Sequence, residues 1–405
     1  MKAPELLAPA GNLEKLKTAV HYGADAVYLG GKRYSLRAHA GNFTDDQLRE
    51  AVTYAHTHGV KVYVTVNIFA HGRDLEGLEE YLLFLRHCNA DGLIVSDPGI
   101  LATARKVVPE LAIHLSTQAN VTNPASARFW EAQGVSRLNL AREMSLAEIR
   151  AIRQAVAAEI ELFVHGALCI SYSGRCLLSL YLTGRNANQG DCAHPCRYSY
   201  AVVEEKRPGQ YFPVEEDEHG TYIFNAKDLC LLNRLPDLIA AGADSFKIEG
   251  RMKSVYYVGA VVRLYRAALD HLADHGGKGP LPQEFAAELE KIGSRGQTEN
   301  FLDGTPEQSE MLYQGANVRQ EFAPVAIVRE AGETPLVEAR NPIRPGDAIE
   351  YLDHGLVDRP CHIVALHDQE GVELAQANPN QLVRLTTDST GFVFAENSLF
   401  RKRMT

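Results

Sequence analysis

The chain has no apolar run near the ~18 residues that a membrane-spanning helix requires, so no membrane segment is expected. The opening Met1–Glu5 is not followed by the long apolar stretch of a secretory leader, and the expected compartment is the cytoplasm. Several catalytic signatures are missing as well. There is no H-E-x-x-H, no G-x-S-x-G and no P-loop, and no G-x-G-x-x-G follows the first predicted strand. Positive charge is scarce: 41 Lys and Arg against 51 Asp and Glu leave a net charge of -10. A general nucleic-acid coat needs an excess of cations to displace counterions and is excluded; one local RNA-binding patch is not.

What is present reads as an ordinary globular chain of 405 residues, 45% apolar and 23% charged, enough for two or three domains. The first 280 residues repeat one theme, a short apolar run, a loop and an amphipathic helical stretch. The strand candidates are Glu5–Ala8, Ala26–Leu29, Val62–Val66, Gly92–Val95, Ile113–Ser116, Arg137–Leu140, Ile160–Val164 and Ser245–Ile248. Glycines at 23, 134 and 242 fit helix C-caps. Eight alternating strands and helices predict an α/β fold, a parallel (β/α)8 barrel; an open doubly wound sheet is the alternative.

The crossover between the seventh and eighth strands runs to about eighty residues, far more than a barrel needs. An insertion at about 167–226 is therefore expected on the catalytic face, with antiparallel strands at Tyr198–Val203, Tyr211–Val214 and Thr221–Phe224, followed by a helix over Leu229–Ala241. The Gly276–Pro280 segment reads as a linker after a long helix near Val255–His275. Residues 281–317 read as a helical linker, and 318–405 as a small all-β domain, a C-terminal β barrel. Its closing Arg401-Lys402-Arg403 reads as a solvated tail.

Two constellations carry chemistry. Cys169, Cys176, Cys192 and Cys196 cluster within the insertion, whereas Cys88, Cys230 and Cys361 are scattered. Grouped cysteines in a reducing compartment point to metal before disulfides. Four thiolates suit an iron–sulfur cluster or zinc, and spacing alone leaves open both of these and unligated thiols. The second constellation is the barrel interior. Side chains alternate along a strand, so Ser245, Lys247 and Glu249 should face inward, with His114, Ser116 and Gln118, with Tyr63, Thr65 and Asn67, and with Arg137 and Asn139. Barrels usually fill this space with branched apolar groups. A polar lining means either satisfied ion pairs, such as Lys247 with Glu249 or a cross-strand partner, or a site for a small polar molecule. Arg142 and Arg251, just beyond strand ends, are candidate carboxylate ligands or structural arginines. His165 is a candidate proton donor or a packed histidine. Asp97 and Asp228 are weaker candidates. Tyr172, Tyr198 and Tyr200 either stack on a base or pack the insertion.

Glu161-Leu-Phe-Val-His-Gly-Ala-Leu-Cys169 with Ser173-Gly-Arg-Cys176-Leu-Leu-Ser179 resembles the signature of peptidase family U32, the collagenase-like proteins. Asp191-Cys192-Ala-His-Pro-Cys196-Arg197, Lys247-Ile-Glu-Gly-Arg-Met-Lys253 and the opening Pro4–Gly11 with Gly23–Gly31 resemble further blocks of it. Nothing in the sequence supports proteolysis itself. Members of this length with a small C-terminal β domain act in tRNA hydroxylation, so the resemblance implies 5-hydroxyuridine formation at the wobble position. It implies prephenate as an oxygen-independent hydroxyl source, the tRNA anticodon loop as partner, and a [4Fe-4S] cluster on Cys169, Cys176, Cys192 and Cys196. With it, His165, Lys247 and Glu249 are the expected catalytic groups, and Asn67, Gln118, Arg142 and Arg251 the expected substrate-binding groups. A U32-type peptidase, or a hydroxylase of ribosomal RNA or a quinone precursor, is the alternative.

Overall fold

The computed structural model describes residues 3–36, 42–168, 176–185, 187, 191–193, 195, 215–217, 220–222, 227–294, 296–306 and 320–404. It divides into two compact units, one of residues 1–13, 25–252 and 294–319, the other of residues 14–24, 253–293 and 320–405.

In the first unit β1 (Glu5–Pro9), β2 (Ala26–Gly30), β3 (Lys61–Val66), β4 (Gly92–Val95), β5 (Ala112–Leu115), β6 (Arg137–Asn139) and β7 (Glu159–Ala167) pair in sequence order, all parallel. Two further strands are β8 (Glu215–Asp217) and β9 (Gly220–Tyr222), an antiparallel pair, and β10 (Asp228–Cys230) leads to β11 (Ser245–Ile248). β11 pairs with both β1 and β7 and closes the eight-stranded barrel. The chain between the strands forms α1 (Leu13–His21), α2 (Asp45–Thr57), α3 (Leu78–His87), α4 (Pro98–Val107), α5 (Pro124–Ala132), α6 (Leu146–Ala155), α7 (Leu178–Thr183) and α8 (Leu235–Ala240). The helix starts are written in the sequence. Thr44 with Gln47, and Ser145 with Glu148, form reciprocal capping boxes, while Asn123 and Pro124 open α5 together. Gly134 and Gly242 take positive φ after α5 and α8, the left-handed stop their positions predict.

The predicted helix over Leu229–Ala241 is shorter than expected. Asp228–Cys230 instead adds to the barrel as an antiparallel strand on β7, and β12 (Gln297–Thr298) extends it. The apolar run Leu229–Leu232 satisfies a sheet edge before Pro236 restarts the chain as a helix. Predicted strands at 198–203 and 211–214 lie outside the described residues; the third is represented by β9, whose partner β8 was not anticipated.

The second unit takes α1 beyond Leu13, with α9 (Val255–Asp274), α10 (Gln283–Glu290) and six antiparallel strands. These are β13 (Phe322–Glu330), β14 (Leu336–Ala339), β15 (Ala348–Leu352), β16 (Asp358–His367), β17 (Leu382–Thr387) and β18 (Leu399–Arg403), closed in the order β13-β14-β17-β16-β15-β18. Tyr351 packs edge-on against Phe394 and lies near Phe400 at the centre of this barrel. The Arg401–Arg403 segment is no solvated tail. It is the closing strand, and Arg401 is fully buried between Glu288, Glu350 and Asp358, with Arg263 sharing Glu288 and Asp358. A guanidinium without those carboxylates would not survive burial.

His21 in this unit makes a pH prediction. Burial first, and then the nearby His354, push its pKa down to about 4 against an opposing pull from Asp353. Its Nε2 is buried without a partner among the described residues. The unfolded chain, titrating near 6.5, therefore binds the proton more tightly than the folded one. The stability this confers is fully present above the unfolded pKa and is lost as pH falls from there toward the folded value, on the order of 3 kcal/mol in all. Urea unfolding of the second unit at pH 7.5 and pH 4 should show that loss in wild type and a smaller one in His21→Gln. An identical pH dependence in the two proteins would refute it.

Candidate active site

The lower barrel interior is a chain of paired charges. Glu5 accepts Arg137 Nη1 at 2.6 Å, the Tyr63 hydroxyl at 2.7 Å and the Ser245 hydroxyl at 3.1 Å. Arg137 also meets Glu159 at 2.7 Å and reaches Glu161 at 3.5 Å. Glu161 then accepts Lys247 Nζ at 2.7 Å, and both side chains are almost wholly inaccessible to water. Lys247 lies over the rings of Tyr28 and Phe163, 4.5 and 5.4 Å from their centroids. Each strand contributes alternate residues to this ladder, which is why Leu7, Ala26, Tyr28, Tyr63 and Ile94 pack together beside it. Burial would raise the Glu5 carboxyl, but the Arg137 hydrogen bonds and charge outweigh it and hold the pKa below the usual range. Burial, with Arg137, Lys247 and Lys61 adding to it, drives His114 well down, so the imidazole is neutral. His114 Nδ1 and Asn139 Oδ1 are buried with no partner among the described residues.

Polar groups converge at the C-terminal mouth, where barrel enzymes carry their chemistry. Arg251 is buried and donates to Ser35 Oγ at 3.1 Å, Thr65 Oγ1 at 3.2 Å and Asn42 Oδ1 at 2.6 Å. Asn67 Nδ2 donates to Gln118 Oε1 at 3.1 Å, and Asn67 Oδ1 accepts the Leu36 amide. Glu249 follows β11. Its amide donates to the His165 carbonyl at 2.8 Å, and the Tyr28 hydroxyl lies 3.2 Å from its Oε2 and 3.0 Å from the Ile248 carbonyl. Gly166, between them in space, has φ 114° and abuts the Glu249 carbonyl, which a Cβ would strike.

Arg142 follows β6 and engages the C-terminal end of β7. Its Nη1 donates to the Ala167 carbonyl at 2.7 Å and its guanidinium stacks 4.2 Å from the Phe163 centroid. It thus fastens the strand end that leads into Cys169. Cys169, Cys196, Tyr172, Tyr198 and Tyr200 lie outside the described residues. Cys176 and Cys192 are partly exposed on either side of α7. The Ala193 amide donates to Ser179 Oγ at 3.0 Å, tying the Cys192 segment to that helix, and Arg185 pairs with Asp191 at 2.7 Å. Thiols are chemically suited to ligate a metal as thiolates, but with Cys169 and Cys196 outside the described residues, no group of three His, Cys, Asp or Glu side chains placed to hold a metal ion occurs among the described residues.

The predicted residues therefore sort into three places. His165, Glu249, Asn67, Gln118 and Arg251 are at the mouth, Lys247 lies one step deeper on Glu161, and Arg142 braces β7. Sequence reasoning missed Glu5, Glu161, Tyr28, Ser35 and Asn42. The first three stand at alternating strand positions and were legible there, Glu161 between Ile160 and Leu162. Ser35 and Asn42 are loop residues with no periodic signal.

A family model described as Peptidase family U32 matches residues 11–312. The chain is 41% identical over 391 residues to the tRNA hydroxylation protein P1 of Bacillus subtilis, covering 96% of this chain and 92% of that protein. It is 40% identical over 395 residues to the tRNA hydroxylation protein P of Escherichia coli, covering 87% and 86%. A 23S rRNA 5-hydroxycytidine synthase of Escherichia coli is 38% identical over 305 residues, covering 74% of this chain and 45% of that one.

Proposed function

The chain belongs to peptidase family U32, and from that membership we propose that it is an RNA-modifying enzyme that hydroxylates tRNA, forming 5-hydroxyuridine at the wobble position with prephenate as the oxygen-independent hydroxyl source. The observation that carries this reading is the nearly end-to-end match to two proteins named for tRNA hydroxylation. The ribosomal RNA relative supports RNA hydroxylation in general, but the match spans less than half of it.

The chain's own residues supply a suitable mouth. Prephenate is a dicarboxylate, and Arg251 is oriented by three neutral acceptors before any substrate arrives, so little reorganisation is needed to hold an anion. Asn67 and Gln118 orient each other and offer amide contacts beside it. Glu249 and His165 flank the seam between β7 and β11 and are the groups for proton transfer there, with Glu249 held by Tyr28. Lys247 acts from below: its charge is engaged by Glu161, and it reaches the mouth through the Tyr28 ring. Cys169, Cys176, Cys192 and Cys196 would hold a [4Fe-4S] cluster. When bound, such a cluster supplies redox or Lewis-acid chemistry beside the mouth.

Nucleoside mass spectrometry of tRNA from a strain lacking this gene and its redundant counterparts tests the reading. 5-Hydroxyuridine and its derivatives should vanish and return with the wild-type gene. Unchanged nucleosides would discard the tRNA assignment in favour of ribosomal RNA, quinones and then peptides.

A further inference from the structure

Tyr28 joins the buried charges of the barrel to its mouth. It stands on β2, in register with Pro9 of β1, and β1 in turn pairs with β11. From there its buried side chain crosses β1 to reach β11. Its ring centroid lies 4.5 Å from Lys247 Nζ, which Glu161 holds at 2.7 Å. Its hydroxyl stands between two acceptors, the Ile248 carbonyl at 3.0 Å and Glu249 Oε2 at 3.2 Å. Ile248 lies one residue beyond the β1–β11 pairing, which ends at Leu7 and Lys247.

A phenol carries one hydroxyl proton and cannot serve both acceptors fully. Which of them takes it depends on the state of Glu249. An ionised carboxylate is the stronger acceptor, because hydrogen bonds to a charged partner are about twice as strong as neutral ones. A protonated carboxyl is the weaker, and the Ile248 carbonyl then takes the bond. The ammonium against the ring draws electron density from the phenol oxygen and makes the hydroxyl a better donor. The cation seated on Glu161 below thus acts on Glu249 above. The backbone of Glu249 is fixed independently. Its amide donates to the His165 carbonyl at 2.8 Å, and a Cβ added to Gly166 would lie 2.4 Å from its carbonyl oxygen. Rotation is left to the side chain, and there Tyr28 reaches the carboxylate.

We propose that Tyr28 is a positioning residue for proton transfer at Glu249. Its hydroxyl holds the carboxylate in place while Glu249 is ionised, and turns to the Ile248 carbonyl when Glu249 takes a proton from bound substrate. The proton ends on the carboxylate, and the electron pair of the broken bond stays on the substrate. The carboxylate keeps its place, and the hydroxyl hydrogen alone moves. A base that needs so little reorganisation is poised for its step. The inference rests on the hydroxylase reading above and adds what holds its proton carrier.

Turnover of the full chain, purified without oxygen, on an anticodon stem-loop RNA with prephenate tests it, with 5-hydroxyuridine counted by mass spectrometry. The variants are Tyr28→Phe, which keeps the ring over Lys247 and removes the hydroxyl, Glu249→Gln, and the two together; thermal melts confirm folding. Tyr28→Phe should lower kcat by about 10-fold to 30-fold and leave KM for prephenate within about twofold. Glu249→Gln should lower kcat by about 100-fold or more. The double variant should lose no more than Glu249→Gln does, because a hydroxyl that acts through Glu249 has nothing to hold once the carboxylate is gone. A Tyr28 that does no more than cap the Ile248 carbonyl gives the other result, in which the two losses multiply. Multiplied losses, a Tyr28→Phe rate within about twofold of wild type, or a change confined to KM overturn the proposal. So does a Glu249→Gln protein that turns over as wild type does. Wild type that makes no 5-hydroxyuridine overturns the functional reading, and the proposal with it.

Discussion

Wild-type protein purified without oxygen is expected to carry iron, acid-labile sulfide and visible absorption, and Cys176→Ala to lack all three. A deletion strain complemented with that variant should make no 5-hydroxyuridine. A cysteine ligates a metal only as the thiolate. Cys361 is buried in β16, and burial first, then the Asp388 charge, push it up to about 11. Burial raises Cys88 as well. A thiol held protonated is a poor metal ligand, because the thiolate is the species that binds. Cys176 and Cys192 are partly exposed at the two ends of a segment tied together by Ser179 and Ala193. Cys88→Ala and Cys361→Ala should therefore keep both iron and modification. Zinc without iron or sulfide in wild type would sink the cluster, and full modification by Cys176→Ala would separate the cysteines from the reaction.

The difference between these thiols also marks what the sequence could carry. All eight barrel strands fall where short apolar runs alternate with amphipathic helices, because both faces of a parallel strand are covered and its period is plain. Inward residues followed from alternation alone: Lys247, Arg137, His114 and Asn67 all lie where the period of two puts them. Their partners did not follow. Lys247 meets Glu161 across the β7–β11 seam, and that pairing depends on strand register, which no local pattern encodes. Arg142 reads from the sequence as a carboxylate ligand or a structural arginine, and its neighbour in space, the Ala167 carbonyl, follows only from the closing of the barrel. Arg401 looked solvated because its cluster with Lys402 and Arg403 is basic. Its burial comes from Glu288 and Asp358, distant in sequence. Long-range pairing, not propensity, separates what was legible from what was not.

That dependence on pairing gives the largest expected stability effect in the barrel. Glu161→Ala should cost about 3–5 kcal/mol, the range for stranding a buried charge. Glu161 serves two cations at once, Lys247 at 2.7 Å and Arg137 at 3.5 Å. Arg137 keeps Glu5 and Glu159, so most of the loss falls on Lys247. Among the described residues Lys247 then has only the faces of Tyr28 and Phe163, worth about 2 kcal/mol or somewhat more when desolvated and less than the pair it loses. Removing the stranded charge should recover stability: Lys247→Met added to Glu161→Ala should be more stable than Glu161→Ala alone, because two apolar groups cost less than one unpaired ammonium. Urea midpoints for the wild type, both singles and the double give the coupling energy. A Glu161→Ala loss below about 1 kcal/mol, or strictly additive effects, would mean that water reaches Lys247 and that the interior ladder does not hold the seam below Glu249 and His165 together.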